Sequence, residues 1–371
     1  MSEMQQTINN DICFSGRGIH TGVTTNMRLL PASKDTGILF VRTDLNGMPV
    51  IKADISNLLS TNRSTCLKQG IAEIHTVEHI LASIVGNGID NLIIEVDNIE
   101  IPILDGSAKE FSEKILESGV QIQDSKRKYF EIKKELRYHD KESGTEIIAS
   151  PADSYIVDVS IDYKSKVLGI QNASLSNIKN FNTQIASCRT FCFLHELEYL
   201  LSKKLVKGGN INNAIVVVEK EISEESLLNL KNEFNKKDIS VNEHGYLNNL
   251  SLRHDNEPAR HKLLDIIGDL SLLGKRIKGK ITAHKPGHKN NTKFAKYLKE
   301  IMKDEINKTA PEIDFTKEPL YNKEKIESIL PHRDPFLFID EIREIGDDYI
   351  IGVKHVKETE EYFKGHFPQE P

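Results

Sequence analysis

The stretch EPARHKLLDIIGDL, residues 257–270, constrains this chain more than any other. Pro258 suits a first helical turn, Asp255 or Asn256 can cap it and Gly274 can end it, so a helix is expected here. Leu263, Leu264, Ile266, Ile267, Leu270 and Leu273 cover most of its circumference, which makes it a core helix. His261, Asp265 and Asp269 fall at i, i+4 and i+8 and form one narrow stripe through that apolar surface. Buried carboxylates must be paired or bound to a cation. An imidazole and a carboxylate at this spacing converge on one metal ion or bond to each other. A catalytic metal site needs a third protein ligand and a position left for water.

Length allows two or three domains. A net charge of −6 provides no basic field for nucleic acid. Cys13, Cys66, Cys188 and Cys192 contain no C-x-x-C pair and read as reduced thiols of a cytoplasmic protein. The polar start, MSEMQQTINND, is not expected to be a secretory signal, and no apolar run approaches the ~20 residues of a membrane span.

Alternation predicts strands in TTNMRLL, GILFVRTD and DNLIIEVD, and helices in HTVEHILASIVGNG and SAKEFSEKILESG. Thr76 is the expected N-cap of the first of these helices, with Gly86 and Gly88 at its end. The charged run QDSKRKYFEIKKELRYHDKESG marks a boundary near residue 125. Residues 126–305 then give strands, the helical FLHELEYLLSKK, the strand NNAIVVV, the core helix and a basic helix at 291–303. Two successive α+β units of similar size, 1–125 and 126–305, imply two related domains with a site between them. Residues 306–322 read as a linker, and 323–371 as a segment too short to bury a sizeable core alone.

HTVEHILAS offers a third ligand. His75 falls before the helix, while Glu78 and His79 share its first turn about 100° apart. One could ligate a metal while the other takes a proton from water; alternatively Glu78 complements the helix dipole and His79 is an ordinary half-buried histidine. AHKPGHKNN places His288 in a loop where it could serve as an acid, with His284 as the competitor. Thr190 of SCRTF supplies a hydroxyl for an oxyanion.

TVEHILAS, GIDNLIIEV, EIPILDGSA, CRTFCF, KGGNINNAIVV and NEPARHKLLDIIGDLSLLG occur in this order, followed by Gly287-His288. In these blocks the chain resembles the UDP-3-O-acyl-N-acetylglucosamine deacetylase (LpxC) family over roughly residues 5–305. The resemblance implies an α+β fold of two similar β/α sandwich domains with the active site between them. It implies a zinc amidase of lipid A biosynthesis, with His79, His261 and Asp265 as metal ligands; two histidines and a carboxylate also suit ferrous iron. Glu78 would be the general base, Thr190 would hold the oxyanion and Lys262 would face the substrate. His288 would be the second catalytic group, oriented by Asp269. An insert spanning 189–218 would supply an apolar passage for the 3-O-acyl chain, walled by Phe191, Phe193, Leu200 and Ile211. Cys66 matches a family cysteine near the metal, whose thiolate could take up excess metal. A catalytically inactive, sugar-nucleotide-binding relative is the alternative, yet each polar group that hydrolysis requires is present.

LPHRDPFLFIDEI, 330–342, and YFKGHFPQEP, 362–371, are similar to the opening of hotdog-fold 3-hydroxyacyl-[acyl-carrier-protein] dehydratases of the FabZ type. His366 would be that family's catalytic histidine, and its acidic partner would lie downstream of Pro371. These residues are therefore expected to form an incomplete hotdog-fold tail, poorly packed over 330–365. An acyl-carrier protein is expected as a partner of an intact dehydratase domain alone.

Overall fold

The structure, a computed structural model, describes residues 3–202, 207–209, 213–247, 250–308, 313–346, 349–358, 360 and 363, without the side chains of 200–202 and 305–308. The side chain of Leu200, and Ile211 and His366 entirely, lie outside the described residues. Residues up to Met302 form one compact unit and those from Lys303 a second.

In the first unit, a mixed five-stranded sheet runs in the order Ile12–Arg17, Thr24–Pro31, Leu92–Val96, Ile38–Arg42, Val50–Lys52. Leu92–Val96 lies parallel to Ile38–Arg42 and antiparallel to Thr24–Pro31. Its alternation puts Leu92, Ile94 and Val96 in the core, as period 2 requires. Helices α1 (Glu78–Gly86) and α2 (Lys109–Ser118) belong to this half. Phe111 of α2 meets Phe14 of the sheet edge-on at 5.1 Å. All nine residues of α1 are buried.

The second sheet has the order Leu136–Asp140, Thr145–Ser150, Arg276–His284, Tyr155–Asp162, Ile170–Leu175, with Tyr129–Glu131 parallel to Arg276–His284. The charged run near residue 125 is itself ordered: Val120–Lys126 pairs antiparallel with Met4–Ile8. Arg127 and Arg276 both grip Asp90, at 2.7 and 3.1 Å, so ion pairs tie the halves together behind the strands. One hydrophobic core runs from Ile8 to Met302 and is shared by both sheets.

Further helices are α3 (Phe181–Gln184), α4 (Leu194–Ser202), α5 (Glu224–Glu233), α6 (Glu257–Ser271) and α7 (His288–Lys308). Helix α6 is the core helix of the sequence, with Pro258 in its first turn. It packs directly on α1. The contact is closest at Gly268, where a Cβ would stand 2.1 Å from the carbonyl oxygen of Glu78, so only glycine fits. The insert forms a two-stranded parallel sheet, Phe191–Phe193 beside Ile215–Val217, flanked by α4 and α5.

Two local expectations are corrected. Thr76 does not cap α1: it lies in the left-handed region (φ 60°), which turns its hydroxyl onto Glu100, and Val77 precedes the helix without a side-chain cap. His288 is not in a loop but is the first residue of α7, because the turn at Lys285 (φ 51°) ends before it.

The second unit contains α8 (Lys323–Ile329), capped by Asn322, and a hairpin of Glu341–Ile345 with Ile350–Val353. Its small core is Ile326, Leu337 and Ile342, while Phe336 and Phe338 are 70% and 54% exposed. Among the described residues, no helix is long and apolar enough to cross a membrane.

Candidate metal centre and its cavity

His79 is the second residue of α1, and His261 and Asp265 are one turn apart on α6, so the crossing of the two helices brings them together. One donor atom from each lies within 4.8 Å of the others. Asp265 Oδ1 is 3.4 Å from His261 Nε2 and 3.9 Å from His79 Nε2, and the two rings meet edge-on. Nδ1–H of His261 donates to the Cys188 carbonyl at 3.0 Å, which assigns the tautomer and leaves Nε2 a bare lone pair. Burial pushes His79 down to about 3 and lowers His261 too, so both rings are neutral. Burial opposes the charge of Asp265, but Lys262, donating to Oδ2 at 2.7 Å, together with the cationic His288 holds it far below the usual carboxylate range. Asp265 Oδ1 is buried with no hydrogen-bond donor. Two nitrogen lone pairs and an orphaned anionic oxygen converging in a buried place fit a divalent cation.

A base and an acid stand beside this set. Glu78 Oε2 accepts the backbone N–H of Thr65 at 3.0 Å. Burial pushes its carboxyl up to about 7, against the pull of His288 and with the help of Asp269 and Asp265. Nδ1 of His288 donates to Asp269 Oδ2 at 3.0 Å, and its Nε2 lies 3.7 Å from Glu78 Oε1. Burial would lower this imidazole, but Asp269, Asp265 and Glu78 carry it up to about 10, so it is a cation at neutral pH. Asp269 is itself fixed by the Thr65 hydroxyl at 2.5 Å and Asn291 at 2.8 Å. Sequence reasoning missed Thr65, Asn291 and the Cys188 carbonyl. Asn291 carried a signal, since it follows His288 by three residues on the same helix.

Glu78, His79, His261, Asp265 and His288 open onto a cavity of about 640 Å³, as do Thr190, Lys262, Phe191 and Phe193. The Thr190 segment is anchored by a buried ion pair in which Arg189 Nε meets Glu257, the first residue of α6, at 2.9 Å. Lys262 Nζ lies 5.6 Å from the Phe191 ring, and both phenylalanines flank Tyr163. Phe234, which the sequence reading did not single out, lines the same cavity. His284 is exposed at the end of its strand, away from this wall. Cys66 is buried, and burial pushes its thiol up, which disfavours the thiolate expected of it.

Comparison with known proteins bears on this geometry. The family model described as UDP-3-O-acyl N-acetylglycosamine deacetylase (LpxC) matches residues 5–239 and 235–300, and that of a FabA-like domain matches 330–371. The bifunctional enzyme LpxC/FabZ of Porphyromonas gingivalis is 44% identical over 370 residues, covering 100% of this chain and 80% of the relative. Its namesake in Bacteroides thetaiotaomicron is 40% identical over 368 residues, covering 99% and 79%. The UDP-3-O-acyl-N-acetylglucosamine deacetylase of Cellvibrio japonicus is 38% identical over 299 residues, covering 80% and 90%. That family is metal-dependent, and the buried His-His-Asp set gives this chain a place for the metal. With matched blocks and a fitting site in one compact unit, the chain belongs to the UDP-3-O-acyl N-acetylglycosamine deacetylase family, is a deacetylase enzyme, and carries a FabA-like stretch at residues 330–371.

Proposed function

We propose that this enzyme removes the N-acetyl group of a UDP-3-O-(3-hydroxyacyl)-N-acetylglucosamine in the committed step of lipid A synthesis, with zinc held by His79, His261 and Asp265. The observation that carries the reading is the Glu78–His288 pair, 3.7 Å apart at the edge of the ligand set, with carboxyl and imidazole held up at about 7 and 10. Such a pair divides base and acid between two groups at neutral pH. When bound, the ion supplies Lewis-acid polarisation and brings the pKa of water to near 7.

The remaining steps belong to the chain. Thr65 holds Glu78 Oε2, so Oε1 is the oxygen that takes the proton of the attacking water. The hydroxyl of Thr190 and the ammonium of Lys262 stabilise the oxygen that becomes negative. Asp269 fixes Nδ1 of His288, and the Nε2 proton goes to the amine as the C–N bond breaks, leaving acetate and a free 2-amino sugar. Phe191 and Phe193 wall the place of the acyl chain.

We assign 1–125 and 126–305 to the two catalytic domains, 306–322 to a linker and 323–371 to a hotdog-type segment, and place the reaction in the cytoplasm, where nucleotide sugars are made. The test is release of free amine from UDP-3-O-acyl-N-acetylglucosamine before and after chelation, and again after adding zinc or, without oxygen, ferrous iron. Loss and recovery support the reading and rank the metals. A folded, metal-loaded chain that releases no amine sinks it.

A further inference from the structure

Glu100 is fully buried and takes no part in the steps above. Its carboxylate accepts four hydrogen bonds. Oε1 takes the backbone N–H of His20 at 3.0 Å and the Thr76 hydroxyl at 2.9 Å. Oε2 takes the N–H and the hydroxyl of Thr21, at 2.8 and 2.6 Å. All four partners are donors, so the ionised carboxylate, an acceptor at every lone pair, is the form that satisfies them. The segment 18–23 is thereby pinned to Thr76, two residues ahead of the base Glu78.

The other side of this segment rests on the acyl-passage insert. The N–H groups of Gly208 and Gly209 donate to the Ile19 carbonyl at 3.3 and 3.2 Å, and Arg17 donates to the Lys207 carbonyl at 3.0 Å. The approach is close enough to demand glycine on both sides. A Cβ at Gly22 would stand 2.7 Å from the Lys207 carbonyl, and one at Gly208 1.8 Å from the Gly18 carbonyl. Ile19, His20 and Gly209 all line the cavity.

We propose that Glu100 is a positioning residue that holds Ile19 and His20 as a strap, closed against Gly208 and Gly209, under which the acyl-bearing part of the substrate is seated. The proposal rests on the deacetylase reading. The strap bridges the half that carries Glu78 and the insert that carries the apolar wall, so a 3-O-acyl chain reaching that wall from the metal centre passes beneath it. A loosened strap costs the acylated substrate its binding while leaving the proton-handling groups in place.

The experiment is Glu100→Gln in the full chain, which keeps the shape and replaces one acceptor oxygen by a donor. Hydrogen exchange at the His20 and Thr21 amides is expected to accelerate, and KM for the 3-O-acylated substrate to rise, each by about tenfold or more. The kcat/KM preference for acylated over non-acylated sugar nucleotide should shrink by the same factor. A merely structural role would lower kcat for both substrates alike, with KM and the preference unmoved, and would overturn the proposal. Thr21→Val, which removes one of the four donors and keeps the carboxylate, is the milder variant should Glu100→Gln fail to fold; a smaller rise in the same KM is expected. Unchanged KM in a variant whose strap exchanges faster also overturns it. Binding is read separately: the acylated sugar nucleotide should protect the Ile19 and His20 amides in the unaltered chain and not in Glu100→Gln. Protection without any amine release would leave the strap standing and sink the deacetylase reading instead, whereas turnover without protection would do the reverse.

Discussion

Gly268→Ala tests whether the helix crossing sets the metal site. The added Cβ would lie 2.1 Å from the Glu78 carbonyl oxygen and 2.9 Å from its carbonyl carbon, where ordinary contact begins at 3.4 Å. Both partners are backbone in buried helices, so relief requires α1 and α6 to part by roughly 1.3 Å. His79 is the one ligand carried by α1, with Asp265 Oδ1 3.9 Å from its Nε2. Metal–ligand distances tolerate only about 0.2 Å, so this parting exceeds the tolerance several-fold. Zinc affinity should fall by about 100-fold or more. The metal-free fold should change far less, because overpacking costs about 1–3 kcal/mol and alanine in a helix returns about 1 kcal/mol. Competition against a chelator of known affinity reads the first quantity, and urea unfolding of the stripped protein the second. An alanine variant that binds zinc as tightly as the unaltered chain would show that the crossing does not fix the site.

Asp265→Ala should reduce bound zinc well below one ion per chain by metal analysis. It should also lower the urea midpoint of the stripped protein, because the half-buried Lys262 ammonium loses its carboxylate. In the metal-free protein His288 is raised to about 10 from 6.5 and Glu78 to about 7 from 4.5, so both contribute stability at low pH that is lost as pH rises, through 7 for Glu78 and through 10 for His288. The urea midpoint should therefore fall between pH 7 and 10, and an equally steep fall in His288→Gln would contradict the assignment. Phe234→Ala, which opens the apolar wall shared with Leu197 and Val216, should shift the preferred acyl chain toward greater length, with about tenfold in kcat/KM at stake per misfitted methylene. An unmoved chain-length profile would remove Phe234 from that wall.

The stripe of His261, Asp265 and Asp269 was legible because helical periodicity alone places three residues on one line. Adjacency likewise put Glu78 and His79 on neighbouring directions of α1. What sequence could not give were partners fixed by distant contacts. Thr65 and Asp269 meet across 204 residues of chain, and the Cys188 carbonyl reaches His261 across 73. Thr76 looked like a cap because threonine before a helical run usually is one; the pull of Glu100, 24 residues away, turned it left-handed instead. The charged run near 125 read as a boundary, and the strand within it stayed hidden because its partner is the distant N-terminal Met4–Ile8.

The charges of the site also set how it takes up its ion. Lys262 pairs with Asp265, and His288 pairs with Asp269, at 2.7 and 3.0 Å. Those two pairs are neutral overall, which lets the metal-free centre stay buried. Glu78 is the group without a matched cation of its own, and burial holds it at about 7, so near pH 7 it is about half protonated in the stripped protein. A divalent cation among His79, His261 and Asp265 favours its ionised form. Zinc binding at pH 7 should therefore release up to about half a proton from Glu78, more at pH 6 and less at pH 8. Calorimetric titration in buffers of differing ionisation enthalpy measures that release, and Glu78→Gln supplies the reference, since any proton that still leaves the variant comes from water or another ligand. Equal release from variant and unaltered chain would mean that Glu78 is already ionised before the metal arrives. Burial would then not be what tunes the base.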